Sequence, residues 1–225
     1  MGTRQSIVAV VASGVLAASC SSETRPGDTD LRSSGVGIVA EGCSLTAQLA
    51  SGIVIDRPGQ VVTVAHAIAG ATSISVVDHA NDVYPATVRA FDKDRDLAVL
   101  DVPGLDAPAL HRAPGRVGPG ATLTWSRDDG VTYDEVNVSK QLTVTIEDIY
   151  VEEITERRGI EVRGEVGPGD SGGAVLSSTG GVIGIIYAQS RTRQGVGFAT
   201  DSSELDALLR TMSSSSSTVA NGRCG

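Results

Sequence analysis

The sequence predicts an all-β fold, a barrel or sandwich closed by a single terminal helix, and three observations carry that expectation. Short Val- and Ile-rich runs follow one another along most of the chain, separated by Gly, Pro, Asp and Asn. Apolar residues take every second place in Leu142-Thr143-Val144-Thr145-Ile146, as a half-buried strand requires. Helical spacing occurs only near the end, so the strand-helix-strand rhythm of a parallel α/β sheet is missing.

The elements can be justified in order. VGIVA, QLASGIVI, QVVTVA, SISVVD and VYPATVRAF, followed by the buried-looking run Leu97-Ala98-Val99-Leu100, form a first strand series over about 36–102. PGLDAPALHRAPGRVGPG, at 103–120, has the Pro and Gly density of a linker. A second series over about 121–200 comprises ATLTWS, VNVSKQLTVTIEDIYVEEI, GIEVRGE, GAVLSS, GVIGIIYAQ and GVGFAT. TDSSELDALLRTM then places leucines at 205, 208 and 209 behind a Ser or Asp cap, which predicts a helix over 201–212. Residues 213–225 form a Ser-rich tail that carries Cys224. No repeat of 20–50 residues stands out.

Composition narrows the function classes. The 225 residues suit one domain or one two-barrel unit, and 40% hydrophobic content excludes a disordered chain. A net charge of −9 argues against a nucleic-acid partner, which needs a cationic footprint. At the start, Arg4, an apolar stretch from Ile7 to Ala18 and the small residues Ala17, Ala18 and Ser19 have the layout of a secretory signal over 1–19. Cys20 follows at once, which makes the segment look like a bacterial lipobox with Cys20 acylated. The usual leucine stands three places before that cysteine, whereas Leu16 stands four before, and plain secretion is the alternative. Residues 20–35 read as a flexible tether. Three cysteines is an odd number for an exported chain. With Cys20 lipidated, Cys43 and Cys224 remain, one near each end of the folded region. An oxidising compartment permits their pairing, and the alternative leaves Cys224 unpaired in a frayed tail.

The residues that could carry chemistry converge on one serine. GPGDSGGAV, at 167–175, surrounds Ser171 with so little side chain that backbone must approach something closely there. Serine nucleophiles need a base, a carboxylate to orient it and N–H groups for the oxyanion. Of three histidines, His79 and His111 lie among turn residues and read as solvated. His66 closes the apolar run VVTVAHAIAG, where a polar residue needs a partner or a role. Asp96 stands directly before the buried run at Leu97 and is the best orienting acid, while Asp92 and Asp94 look like solvated surface charges. Gly169 lets the loop turn so that the amides of Gly169 and Ser171 point into one space. No metal-ligand cluster is present and Cys43 lacks a nearby His motif, so metal-dependent and cysteine-nucleophile chemistry are weak readings.

His66 in VTVAHAIAG, Asp96 in DRDLAVLDV and Ser171 in GPGDSGGAV resemble the ordered triad of the chymotrypsin-fold, trypsin-like serine proteases, in the style of the bacterial HtrA branch. The resemblance covers about residues 36–212 and implies two six-stranded antiparallel barrels with the site between them, His66 as base, Asp96 as orienter and Ser171 as acylated nucleophile. It implies an exported endopeptidase acting on proteins or peptides through an acyl-enzyme, without a cofactor, held at the outer face of the membrane through lipid on Cys20 or secreted. Cys43 paired with Cys224 would be similar to the disulfide-closed periplasmic acid-resistance protease domain of actinobacteria. Glu165, Tyr187 and Gly197 correspond to positions that line the primary specificity pocket. An inward Glu165 favours a basic P1 residue, and an outward one leaves a small apolar pocket. Two departures stand out. Asp170 replaces the Asn usual before the serine in HtrA proteins, with Arg157, Arg158 and Arg163 as candidate partners. No PDZ domain of the HtrA kind is read in these residues. The alternative is a non-catalytic or latent lipoprotein that keeps the protease fold as a binding module.

Overall fold

Strand by strand, the alternation in the sequence becomes two antiparallel sheets. The computed structural model describes residues 31–212 and 217–224. The signal segment 1–19, Cys20 and most of the serine run lie outside the described residues.

The first sheet holds β1 (Gly35–Glu41), β2 (Gln48–Val54), β3 (Gln60–Thr63), β4 (Ser73–Val77), β5 (Val83–Pro85), β6 (Thr87–Asp92) and β7 (Leu97–Asp101) in the order β5-β4-β1-β2-β3-β7-β6. Seven strands stand where the resemblance implied six, because VYPATVRAF is broken at Ala86. Pro85 has no N–H to extend the β4 ladder, and the Ala86 amide turns to the Ile74 carbonyl. The two halves of that one run pair with β4 and β7, the opposite flanks of the sheet, and so bring its edges together.

The second sheet is a closed barrel, β10-β13-β12-β11-β8-β9. Its strands are β8 (Gly118–Ser126), β9 (Gly130–Glu147), β10 (Ile154–Arg163), β11 (Ala174–Ser177), β12 (Val182–Gln189) and β13 (Val196–Asp201). The stretch read as one strand through EDIYVEEI is instead a hairpin. Asp148 accepts the amides of Tyr150 and Glu152 and its own amide bonds the Glu153 carbonyl, so an Asx turn overrides the β-favouring Ile, Tyr and Val. Helix α1 (Ser202–Thr211) follows, capped by Asp201, with Leu205 and Leu208 buried.

One apolar cluster fills the first sheet and extends under the helix, where it includes Ile53, Val62, Leu100, Leu205 and Leu208. A second fills the closed barrel with Val138, Ile160, Val162, Ile183 and Ile186. The tether expected over 20–35 is fixed at its end. Leu31 packs on the first cluster, and Arg32 Nη1 donates to the Val131 carbonyl at 2.8 Å. Cys43 and Cys224 are disulfide-bonded with their Cα atoms 5.5 Å apart.

Candidate active site

The loop between β6 and β7 delivers Asp96 to the cleft, and it is docked on the second barrel at every residue before Asp96. Lys93 Nζ reaches Asp148 at 2.7 Å and Glu153 at 2.9 Å. The Asp94 carbonyl accepts from Thr155 Oγ1 at 3.2 Å and Arg157 Nη1 at 3.3 Å. Arg95 Nε pairs with Glu204 of α1 at 2.9 Å, and the same carboxylate takes the Arg158 amide of β10. Asp92 is not the solvated charge the sequence suggested. It accepts the amides of Asp94 and Arg95 and pairs with Arg95 Nη1 at 2.7 Å, which folds the loop. Asp94, half exposed, does sit at the surface beside Lys93. Asp96 itself adopts φ +53, a left-handed conformation that Asp tolerates better than most residues.

Asp96 then grips His66 with both oxygens. Oδ2 lies 2.8 Å from His66 Nδ1, and Oδ1 accepts the His66 amide at 2.9 Å. The carboxylate is 7% exposed and the imidazole 40%, so the ring is held from behind and open to the cleft in front. Crowding pulls the His66 pKa down, but the hydrogen bond and charge of Asp96 outweigh it and the net direction is up from 6.5, with the Arg157 charge opposing.

The loop that carries Ser171 turns on glycines that have physical reasons to be there. Gly169 has φ +98, and a Cβ on Gly172 would lie 2.0 Å from the Ser51 carbonyl oxygen of β2. The loop amides alternate in use. Asp170 N bonds Gly167 O, Gly172 N bonds Ile186 O at 2.7 Å and Gly173 N bonds Asp170 O at 2.9 Å. Among the described residues the Gly169 and Ser171 amides have no backbone acceptor of this kind. Ser171 Oγ donates to the Tyr187 carbonyl at 3.4 Å, a long bond that leaves the hydroxyl ready to turn.

The other expected residues divide. Asp170 pairs with none of Arg157, Arg158 or Arg163. Its Oδ2 accepts the Gly167 amide at 2.7 Å, which closes the loop on itself, and burial raises its pKa against the pull of Gly167 and Thr124. Glu165 is exposed and lines a polar groove of about 1090 Å3 with Asp134, Glu135, Asp170, Arg191 and Arg193. Tyr187 lines an adjoining cavity of about 420 Å3 with Leu142, Val144, Ile146 and Phe198, which shares residues 189–193 with that groove. Gly197 lies under Val166, whose side chain a Cβ there would meet at 2.8 Å. The sequence reading missed the place of Arg157. It is buried, its guanidinium lies 4.3 Å over the Tyr187 ring, and it ties that ring to the Asp94 carbonyl. Its register opposite Val144, on the inner face of the β9–β10 ribbon, is the signal that could have found it.

Comparisons with known proteins show what the chain is similar to. The family model for the trypsin-like peptidase domain matches residues 50–185, more than half of the chain. The chain is 33% identical over 159 residues to Protease Do-like 1, chloroplastic, of Arabidopsis thaliana, covering 66% of this chain and 36% of that one. It is 29% identical over 179 residues to the serine protease Rv3671c of Mycobacterium tuberculosis, covering 77% of this chain and 44% of that one. The chain therefore spans less than half the length of these curated relatives. Among solved structures, the active form of the Rv3671c protease superposes with a TM-score of 0.81 at 27% identity, covering 87% of each chain. The inactive form gives 0.72 at 26% identity, covering 83% of this chain and 92% of that one.

Proposed function

The chain belongs to the trypsin-like peptidase domain family, and on that premise we propose that it is an exported serine endopeptidase working through a His66-Asp96-Ser171 triad. The observation that carries the reading is the two-point grip of Asp96 on His66, which fixes the tautomer with Nδ1–H on Asp96 and leaves Nε2 free as base. The Ser171 hydroxyl leaves the Tyr187 carbonyl and turns to Nε2. As its oxygen attacks a peptide carbonyl carbon, the proton passes to His66 and the Gly169 and Ser171 amides take the oxyanion. Collapse breaks the C–N bond, and the leaving amine receives the proton from His66, giving an acyl-enzyme. Water, deprotonated by His66, then attacks the ester, and the proton returns to Ser171 as the acid departs. The greater likeness to the active than to the inactive form of the Rv3671c protease supports a competent arrangement.

The test is fluorophosphonate labelling of the protein without residues 1–20, against Ser171→Ala and His66→Ala, at neutral and acidic pH. Labelling lost in both variants is expected. A folded, oxidised wild type that never labels would leave the latent binding module standing, with the hydroxyl kept on Tyr187. Export and anchoring form a separate part of the proposal, resting on the 1–19 segment and Cys20. Incorporation of a palmitate analogue that disappears in Cys20→Ser is expected, and absence of label on the native chain would overturn it. For specificity, cleavage after Lys or Arg that collapses in Glu165→Gln would place P1 in the groove beside Glu165. Cleavage after small apolar residues, indifferent to that change, would place P1 against Val166 and Gly197.

A further inference from the structure

The first sheet reaches into the Ser171 loop through a side chain that is not a member of the proposed triad. Ser51, on β2, is fully buried, and all of its hydrogen-bonding groups are in use. Its Oγ donates to the Gly169 carbonyl at 2.9 Å and accepts the Trp125 amide of β8 at 2.8 Å. A second acceptor, the Trp125 carbonyl, lies farther off at 3.3 Å, so the single hydroxyl proton favours Gly169. The Ser51 amide donates to the Ser171 carbonyl at 2.8 Å, and its own carbonyl is held by Thr63 Oγ1 at 2.7 Å.

We propose that the Ser51 hydroxyl is a positioning group for the oxyanion site, locking the Gly169–Asp170 peptide, the plane between those that carry the Gly169 and Ser171 amides, so that the two converge. The inference rests on the serine-protease reading of this loop. The peptide plane joining Gly169 to Asp170 has two ties, the Ser51 hydroxyl on its oxygen and a 3.3 Å bond from the Asp170 amide to the Gly167 carbonyl. The second is long, and φ at Gly169 is +98, a region where glycine turns freely. Without the hydroxyl, one weak bond is left to hold this middle plane, and the glycine hinge lets the Gly169 amide, on the plane before it, swing out of line with that of Ser171. The Ser51 amide would still hold the Ser171 carbonyl, so the nucleophile itself stays in place. The loss should therefore fall on transition-state stabilisation and spare substrate binding and the His66–Asp96 pair.

The experiment compares Ser51→Ala with wild type in three readouts. Displacing one donor from an oxyanion site predicts kcat lower by roughly 30- to 100-fold, with KM within about twofold. A peptide boronate, whose oxygen occupies the same site, should bind weaker by a similar factor, while the acid limb of the pH profile stays put. Amide hydrogen exchange over 166–173 should quicken in Ser51→Ala with α1 unchanged. If Ser51→Ala does not fold, Ser51→Cys keeps a side chain at the site with a weak donor and should give a smaller change of the same pattern. A folded variant with kcat within threefold of wild type, or with unaltered exchange over 166–173, overturns the proposal. The exchange comparison needs no turnover, so a wild type that never labels would sink the protease reading while Ser51 is still decided.

Discussion

The residue whose replacement says most is Asp96, because it serves backbone and imidazole at once. Asn tolerates the left-handed φ of +53 and its carbonyl oxygen can keep the His66 amide, so Asp96→Asn should fold. What it loses is the charge and the ability to accept from Nδ1–H if the amide nitrogen faces the ring. We expect kcat/KM to fall by about 10⁴ at neutral pH with little change in Tm, read by steady-state kinetics beside thermal melts. The raised pKa of His66 gives a second prediction. The base must be neutral, so the acid limb of kcat/KM should have its midpoint above 6.5. Arg157→Met removes an opposing charge and should move that midpoint higher still, while a merely structural role would lower activity without moving it. For stability the sign is opposite. A raised histidine contributes most below 6.5, and the contribution fades as pH rises through the folded pKa, so urea midpoints of wild type and Asp96→Asn should converge in alkaline buffer.

Among elements, the β6–β7 loop and the β9–β10 turn depend on each other through Lys93. Its ammonium sits among Asp94, Asp148 and Glu153, where these three carboxylates would otherwise repel. Hydrogen bonding to Lys93 and to the turn amides holds Asp148 at about 2, below its ordinary 3.8. That depressed value means stability present above about 3.8 and lost as the pH falls towards 2. Lys93→Met should lower the denaturant midpoint at neutral pH, narrow its gap from wild type across that acid window, and reduce kcat because Asp96 loses its footing. Equal midpoints at pH 6 would show that the clamp adds nothing. None of this was legible in the sequence. The strand runs were, because burial on a pleated surface writes itself as Val, Ile and alternation within a few residues, and Asp96 was found by its place before Leu97. The break at Ala86, the turn at Asp148 and the role of Asp92 depend on single backbone hydrogen bonds that composition does not record. The ties that seat the loop join residues 55 to 109 positions apart, and no local pattern foretells which carboxylate a lysine or arginine will meet. Ser171 was legible for the opposite reason, since close backbone approach leaves glycines behind.

At the scale of the whole molecule, the segment 217–224 ties the first sheet to the closed barrel. Val219 N bonds Val88 O of β6, and Asn221 Nδ2 donates to the Ile68 and Ala71 carbonyls in the turn that follows His66. The Arg223 guanidinium lies 4.2 Å over Tyr150 and pairs with Glu152 in the β9–β10 turn, and Cys224 ends on Cys43. The disulfide spans 181 residues, nearly the whole fold. Closing so long a loop restricts the unfolded chain by about 5 kcal/mol in the chain-entropy model. A domain of this size shifts in Tm by roughly 2–4 °C per kcal/mol, which predicts a fall of roughly 10–20 °C when Cys43 and Cys224 are both replaced by Ser. The native contacts of Asn221 and Arg223 do not need the covalent bond, so well below the new Tm fluorophosphonate labelling of the double variant should match wild type. Adding Asn221→Ala removes the side-chain hydrogen bonds to the turn after His66 and should slow labelling in the folded protein. Calorimetry with labelling at 20 °C separates the two effects. A Tm unchanged within about 2 °C would show that the unfolded chain is already restricted without the bond. Labelling lost in the double variant while it remains folded would show instead that the disulfide shapes the active site directly.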